Sequence, residues 1–426
     1  MSNLIIYSIP NNTYNSVLIP ITSVPTPLAS ITVHTSPGDT VALRAEIGWI
    51  AQMSDISITN VIFKFWRGAP VTGTLLFSAI DSGEASFDKN VVTSLGHVDT
   101  DFTSVSDTTY MLTAEVQSPN TGAAVVGPLS FTATRGTLAS GDLPFYQLPD
   151  NTAGSVSIPV TESPQPIASL TVNIAPENAV LFRAVIGWRA AGASATPKTD
   201  VIFKLWRGAP VTGSLIFSAD DSADVERNAL TALIHVDSGF TASQQVTYTL
   251  TAEAPDPGKP ATIIGPVALS TAPEEANSPQ FRFSTLPNNT AGGAIIPILT
   301  TPTPLSAVTV QATPGDAAIL RAGIGWMISP QPNIFNTVAG VLFKLWRGAP
   351  ITGTLVSSAL DSGDSNFDNR KVTRLSYIDT GFTASQPVTY TLTAELTTSS
   401  SNVNVIGPLT LAISTVPFND SMMQQS

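Results

Sequence analysis

The chain has 426 residues, 43% of them hydrophobic and only 12% charged, about half the ~25% charged share of ordinary globular proteins, so disorder is excluded and buried cores are well supplied. A net charge of −12 without any basic run excludes nucleic acid as a partner, because phosphate affinity rests on clustered Lys and Arg, and excludes electrostatic attachment to anionic membranes. With no cysteine, disulfides, thiolate catalysis and cysteine-type zinc sites are excluded, and a secreted eukaryotic origin is disfavoured.

The amino end, Met1 to Tyr7, lacks the cationic stretch and long apolar core of a signal peptide, which predicts synthesis without an export signal. No apolar run approaches the ~18 residues that span a bilayer. The first predicted strand is Leu4–Ile9. Further on, Val41, Leu43, Ala45, Ile47 and Trp49 are apolar, while Thr40, Arg44 and Glu46 between them are not. That period of two predicts a strand with one buried and one wet face. Ser30 to Thr35 and Thr109 to Val116 repeat the pattern and are rich in β-formers. Proline and glycine interrupt the chain every 8–15 residues, and 33 prolines so placed leave no room for long helices.

The next run, Phe63-Lys64-Phe65-Trp66-Arg67-Gly68-Ala69-Pro70-Val71-Thr72-Gly73, returns at Phe203 to Gly213 and again at Phe343 to Gly353. Three other blocks recur with it: Ile47-Gly48-Trp49, Tyr110 to Glu115, and a closing Gly127-Pro128. A period near 140 residues is too long for a solenoid repeat, so each copy is a whole domain. The predicted architecture is all-β: three tandem β-sandwich, jelly-roll-like domains over 1–136, 137–276 and 277–426, each of eight or nine strands. Short Gly/Ser/Pro-rich joints near Arg135–Asp142 and Pro273–Pro279 hold the copies close.

Trp66 and Arg67, with Trp206, Arg207, Trp346 and Arg347, are the candidate interaction residues. One reading makes them a platform for sugars. The other makes Trp66 a cover for the core and Arg67 a stacking partner for an aromatic ring. The acidic loop Asp81, Glu84 and Asp88, with counterparts at Asp220, Asp221, Asp224, Asp361, Asp364 and Asp368, is read as a solvated turn. Its carboxylates could also hold calcium, but the spacing varies and no metal or cofactor is expected. Asp99, Asp237 and Asp379 read as turn residues bonded to their own backbone. Lys64, Lys204 and Lys344 with Glu115, Glu253 and Glu395 suit cross-strand ion pairs, and Arg44, Arg183 and Arg321 are candidates for the same role. The Asn-x-Ser/Thr matches at Asn11, Asn288 and Asn419 are read as accidental.

Catalysis finds little support. The third copy has Gln311 and Tyr377 where the first has His34 and His97, so no histidine constellation is shared. No nucleophile elbow, phosphate loop or dinucleotide fingerprint occurs. Paired carboxylates for glycoside hydrolysis stay open, since folding sets their separation.

Val61 to Gly68 resembles a strand and turn of bacterial exosporium protein C-like spore-surface domains. Tyr110 to Glu115, followed by Ala124 to Phe131, resembles their terminal strands. The resemblance covers about the second half of each copy. It implies a structural component of the outer spore layer or of spore filaments, made in the mother cell and assembled there.

The expected function is therefore non-enzymatic: a self-assembling protein of a bacterial spore surface, filament or related extracellular layer. Its partners would be further copies of itself, other spore-surface proteins or glycans. A head-to-tail contact between successive chains would build a filament, with Leu4, Ile5, Ile6 and Tyr7 pairing to a neighbour's sheet edge. Alternatively the three domains pack about a pseudo-threefold axis. The competing functions are a multivalent carbohydrate-binding or adhesin protein and a virion or phage-tail structural protein.

Overall fold

A computed structural model describes residues 3–8, 12–52, 58–137, 144–191, 198–276, 278–330, 336–398 and 402–418. Asn11, Asn419, most of the Arg135–Asp142 joint and the side chains of Ile5, Ile6 and Tyr7 lie outside the described residues. Among those described there is no helix.

The first copy has nine strands: β1 (Asn3–Ser8), β2 (Ile19–Ile21), β3 (Thr26–Thr35), β4 (Asp39–Ala51), β5 (Ile58–Arg67), β6 (Thr74–Glu84), β7 (Asn90–Asp99), β8 (Ser106–Val116) and β9 (Ala123–Thr137). The second repeats them as β10 (Phe145–Gln147), β11 (Ile158–Val160), β12 (Gln165–Ile174), β13 (Asn178–Ala190), β14 (Lys198–Arg207), β15 (Ser214–Asp224), β16 (Asn228–Asp237), β17 (Gln244–Glu253) and β18 (Ala261–Glu275). The third has β19 (Phe281–Thr285), β20 (Ile296–Pro297), β21 (Thr303–Ala312), β22 (Asp316–Ser329), β23 (Val338–Arg347), β24 (Thr354–Asp364), β25 (Arg370–Asp379), β26 (Gln386–Leu396) and β27 (Asn402–Pro417).

In the first copy one sheet runs β1-β9-β4-β7, with β2 beside another stretch of β9; the facing sheet runs β3-β8-β5-β6. The antiparallel pairs β2–β9, β3–β8, β4–β7 and β5–β6 nest inside one another. A long hairpin rolled across two sheets gives this order, which is the jelly roll. The other two copies have the same strand orders.

Between the sheets, Trp49, Trp188 and Trp326 are fully buried, one at the heart of each core. Phe65 stacks between Phe77 and Phe131 at 5.1 and 5.3 Å. The glycine beside each tryptophan has a steric cause. A Cβ on Gly48, Gly187 or Gly325 would fall 2.1 Å from the carbonyl oxygen of Gly127, Gly265 or Gly407 respectively. The Ile-Gly-Trp and Gly-Pro blocks recur together because each is shaped around the other.

β4 departs from the expected alternation. Thr40, Ala42, Glu46 and Gly48 are buried along with the apolar set on the opposite face. The supposedly wet face is covered, because it turns toward the neighbouring copies.

Those copies form a closed ring. β6 packs on β16, β15 on β25, and β24 on β7, while β7, β16 and β25 meet one another at the centre. Each contact repeats by rotation. The amide of Ala153 donates to Ser78 Oγ at 3.0 Å, that of Ala291 to Ser218 Oγ at 3.0 Å, and that of Tyr14 to Ser358 Oγ at 3.1 Å. Leu230 of the second copy reaches the first core, Val372 of the third reaches the second, and Val92 of the first reaches the third. A heterologous contact whose rotation closes makes a ring, here with pseudo-threefold symmetry inside one chain. The face that a head-to-tail filament would need is therefore already occupied by the third copy's contact with the first. β1 likewise pairs along β9 of its own copy, from Asn3 opposite Arg135 to Ser8 opposite Ser130, with Leu4 buried. Its backbone edge on that side is not free for a neighbour.

Candidate functional site: the pseudo-threefold axis and the outer turns

Each copy builds two polar nodes from residues far apart in sequence. In the first, the Trp49 indole donates to Thr93 Oγ1 at 2.8 Å, and Thr93 donates to Asp81 Oδ2 at 2.6 Å. Trp188, Thr231 and Asp221 repeat the relay, as do Trp326, Thr373 and Asp361. In the second node, Arg67 forks onto Asp99, which also accepts from the buried Tyr110 hydroxyl at 2.8 Å. The guanidinium lies 5.4 Å from the Phe102 ring. Asp237 and Asp379 hold Arg207 with Tyr248 and Arg347 with Tyr390 in the same way. These aspartates are thus cross-strand anchors, not turn residues bonded to their own backbone.

The candidate platform residues are consumed by this packing. Trp66, Trp206 and Trp346 are 7%, 9% and 8% exposed, with their indoles donating to Thr113, Thr251 and Thr393. Arg67, Arg207 and Arg347 are spent on aspartate and phenylalanine. A sugar has no aromatic face to stack on here. The expected ion pairs do form: Lys64 with Glu115 at 2.7 Å, Lys344 with Glu395 at 2.6 Å, and Lys204 with Glu253.

What each copy does expose is the turn after the tryptophan. Val71, Val211 and Ile351 stand 69%, 69% and 70% exposed at φ of 68°, 67° and 70°. A β-branched residue in that region is a conformational outlier and carries about 1–3 kcal/mol of strain. Bonds from Gly73 N to Ala69 O, 2.7 Å, and from Thr72 N to Pro70 O, 2.8 Å, hold the turn. Leu75, Leu215 and Leu355 beside them are also exposed.

Acidic residues from all three copies gather near the axis. Burial pushes the Asp81 carboxyl up to about 7 and that of Asp221 up to about 6; burial also raises Asp361 and, further, Asp368. Arg227 and Lys371, each present in one copy only, answer them, and Arg370 of the third copy answers Asp220 of the second at 2.9 Å. Arg227 donates to both oxygens of Asp88 at 2.8 Å and to Glu84. Burial alone would lower its pKa, yet Asp88 and Glu84 hold it above the usual value. Lys371 bonds Asp368 and is held protonated, against burial, by Asp368, Asp361, Asp88 and Asp221. The acidic loops are therefore parts of a buried ionic cluster rather than solvated turns. Among the described residues no group of three or more His, Asp or Glu is arranged to hold a metal ion.

Elsewhere along β4, β13 and β22, Arg44, Arg183 and Arg321 occupy the same position in the three copies and come together with Arg374. They were candidates for cross-strand pairing on their own sheets; instead they face other copies across the axis.

The ring also rests on residues that the sequence reading passed over. Asn12, Asn151 and Asn289 are buried, and their Oδ1 atoms accept from the amides of Leu129, Val267 and Leu409 at 2.7, 3.0 and 2.8 Å. Each sits in a Pro-x-Asn-Thr block, a fifth repeat that was available to find. Ser78 N donates to Asn151 O at 3.4 Å and Ser218 N to Asn289 O at 3.3 Å, which fastens each copy to the next.

No known family matches the chain, and no curated protein does. Among solved structures, a tandem CBM22 domain of Paenibacillus barcinonensis Xyn10C shows 10% identity and a TM-score of 0.19, covering 64% of this chain and 93% of its own. A triple jelly roll from the turret of an archaeal virus shows 11% identity and a TM-score of 0.19, covering 97% and 91%. A peptide-N-glycosidase, PNGase F, shows 10% identity and a TM-score of 0.28, covering 65% and 96%. Similarity this low carries no argument about activity; the jelly-roll assignment rests on the chain's own strand order.

Proposed function

We propose that this chain is a structural building block, a covalently fused pseudo-trimer of jelly rolls that assembles with further copies of itself in a bacterial spore-surface or related extracellular layer. The observation that carries the proposal is the threefold set of strained, exposed turns at Val71, Val211 and Ile351. Strain kept at the same exposed position in three copies marks a shape held for contact. The tips of the turns are apolar, and among the described residues no element buries them. The resemblance of Val61–Gly68, Tyr110–Glu115 and Ala124–Phe131 to exosporium protein C-like domains is what points toward the spore. Assembly uses faces other than the ring contacts, because the chain satisfies those internally. The buried tryptophans count against the glycan-binding alternative.

Negative-stain microscopy of purified protein over rising concentration tests the proposal. Ordered filaments or sheets are expected, and they should vanish when Val71, Val211 and Ile351 are all changed to Asp while circular dichroism stays that of the parent. Single dispersed molecules at the highest concentration would sink it.

A further inference from the structure

Four guanidinium groups, those of Arg44, Arg183, Arg321 and Arg374, meet at the axis, and among the described residues two carboxylates, Glu46 and Glu274, act on them. Arginine does not shed its proton in a protein, and burial raises the pKa of both carboxylates, so the guanidiniums outnumber the negative charges that face them. Burial of a charge without a partner costs several kcal/mol. Arg321 is partly satisfied: it donates to Ser414 Oγ at 3.1 Å, which lies 3.4 Å from Glu274 Oε1. Arg183 and Arg374 are 6% and 5% exposed, and the Nε of each has no hydrogen-bond partner among the described residues. Arg44, Arg183 and Arg374 line one cavity of about 20 Å³, together with His97 and Gln147. That is room for one guest the size of a water molecule. His97 does not add charge there at neutral pH, since burial lowers its pKa to about 4.

We propose that this cavity is a small-anion site, filled by a single halide-sized anion held between Arg44, Arg183 and Arg374. The size of the cavity selects a monatomic anion over phosphate or sulfate. The unpaired donors supply charge-assisted hydrogen bonds, and the ion supplies the negative charge that the arginine layer lacks. Its position between copies makes it part of the ring contact: the anion binds arginines from all three copies. Burial and mutual repulsion lower the pKa of Arg44 to about 9 and hold that of Arg183 well below the usual guanidinium value, the electrostatic strain that a bound anion would relieve.

Two measurements on the full chain test the site. In crystals grown from sodium bromide, anomalous scattering should show one bromide within hydrogen-bond distance of these three side chains. In solution, replacing gluconate by chloride at constant ionic strength should raise the melting temperature saturably, by roughly 3 °C at a hundredfold excess over the dissociation constant. Arg183→Met should abolish that rise while far-UV circular dichroism stays unchanged. If Arg183→Met fails to fold, the bromide map of the parent chain decides alone. A cavity without bromide, or a chloride response that survives Arg183→Met in a folded protein, overturns the proposal.

Discussion

The interior of each sandwich and the axis between them obey different rules. Inside, the three copies are interchangeable: tryptophan, threonine and aspartate form the same relay, and arginine, aspartate and tyrosine the same node, every time. At the axis the same alignment gives unlike residues. Val185 Cγ2 lies 3.4 Å from where Gly96 would carry a Cβ, whereas Ile234 fills the space beside Gly323, where a Cβ would fall 2.4 Å from its Cγ2. At the third joint Glu46 lies against the backbone of Ser376. Positions 46, 185 and 323 correspond, as do 96, 234 and 376, so each joint has found its own pairing. An identical trimer could not do this, because any axial residue would appear three times. Fusion lets Arg227 face Glu84 and Asp88, with Lys89 and Asn369 at the matching positions.

The contrast can be broken at either side. The largest effect belongs to the interior: Trp49→Ala, Trp188→Ala and Trp326→Ala should each cost about 3–5 kcal/mol in urea unfolding, and much the same in each copy. Unequal losses would show that the cores are less alike than their geometry. At the axis the copies should differ. Arg227→Met leaves Glu84 and Asp88 buried without their cation and should cost about 3 kcal/mol or more, while Lys89→Met, at the corresponding exposed position, should stay within about 0.5 kcal/mol. Next, Gly323→Val should cost roughly 1–3 kcal/mol by overpacking. Ile234→Gly in the same chain should recover part of it, and additivity in that double-mutant cycle would mean the two do not touch.

The remaining contrast is a pH dependence. The Asp81 and Asp221 carboxyls titrate higher in the fold than in the unfolded chain, so their contribution is complete below about pH 4 and is lost as pH rises toward 7. His97 and His235 act in the opposite sense. Burial lowers them to about 4 and about 3, so their contribution is complete above the unfolded value near 6.5 and is lost as pH falls. Asp81→Asn isolates one term: relative to the parent, it should gain up to about 1.4 kcal/mol of stability for each pH unit between 4 and 7. Urea midpoints at pH 5 and pH 7 measure this, and a constant difference would contradict it.

Sequence alone made the interior legible. Period two marks β4 and β8, and the recurring blocks turn out to touch in pairs: Ile-Gly-Trp meets Gly-Pro, and the Trp66 indole reaches the Tyr110 to Glu115 block at Thr113. The axis was not legible, because its contacts join residues with no shared pattern. Arg44 looked like a strand-surface cation, and Glu46 like a wet residue, since nothing local says that a second domain covers that face. Asp99 looked like a turn residue because its partners, Arg67 and Tyr110, come from other strands. Asn12 and its counterparts did leave a repeated signal, but a buried asparagine that caps a neighbouring strand looks like any loop asparagine until the strand is placed.

The closed ring has a consequence for supply. Three separate jelly rolls holding each other through these faces would come apart on dilution, and their trimer would depend on concentration. Tethers between copies replace that dependence with a fixed local concentration in the millimolar range for short linkers. A single newly made molecule, far from any other, already has its threefold form.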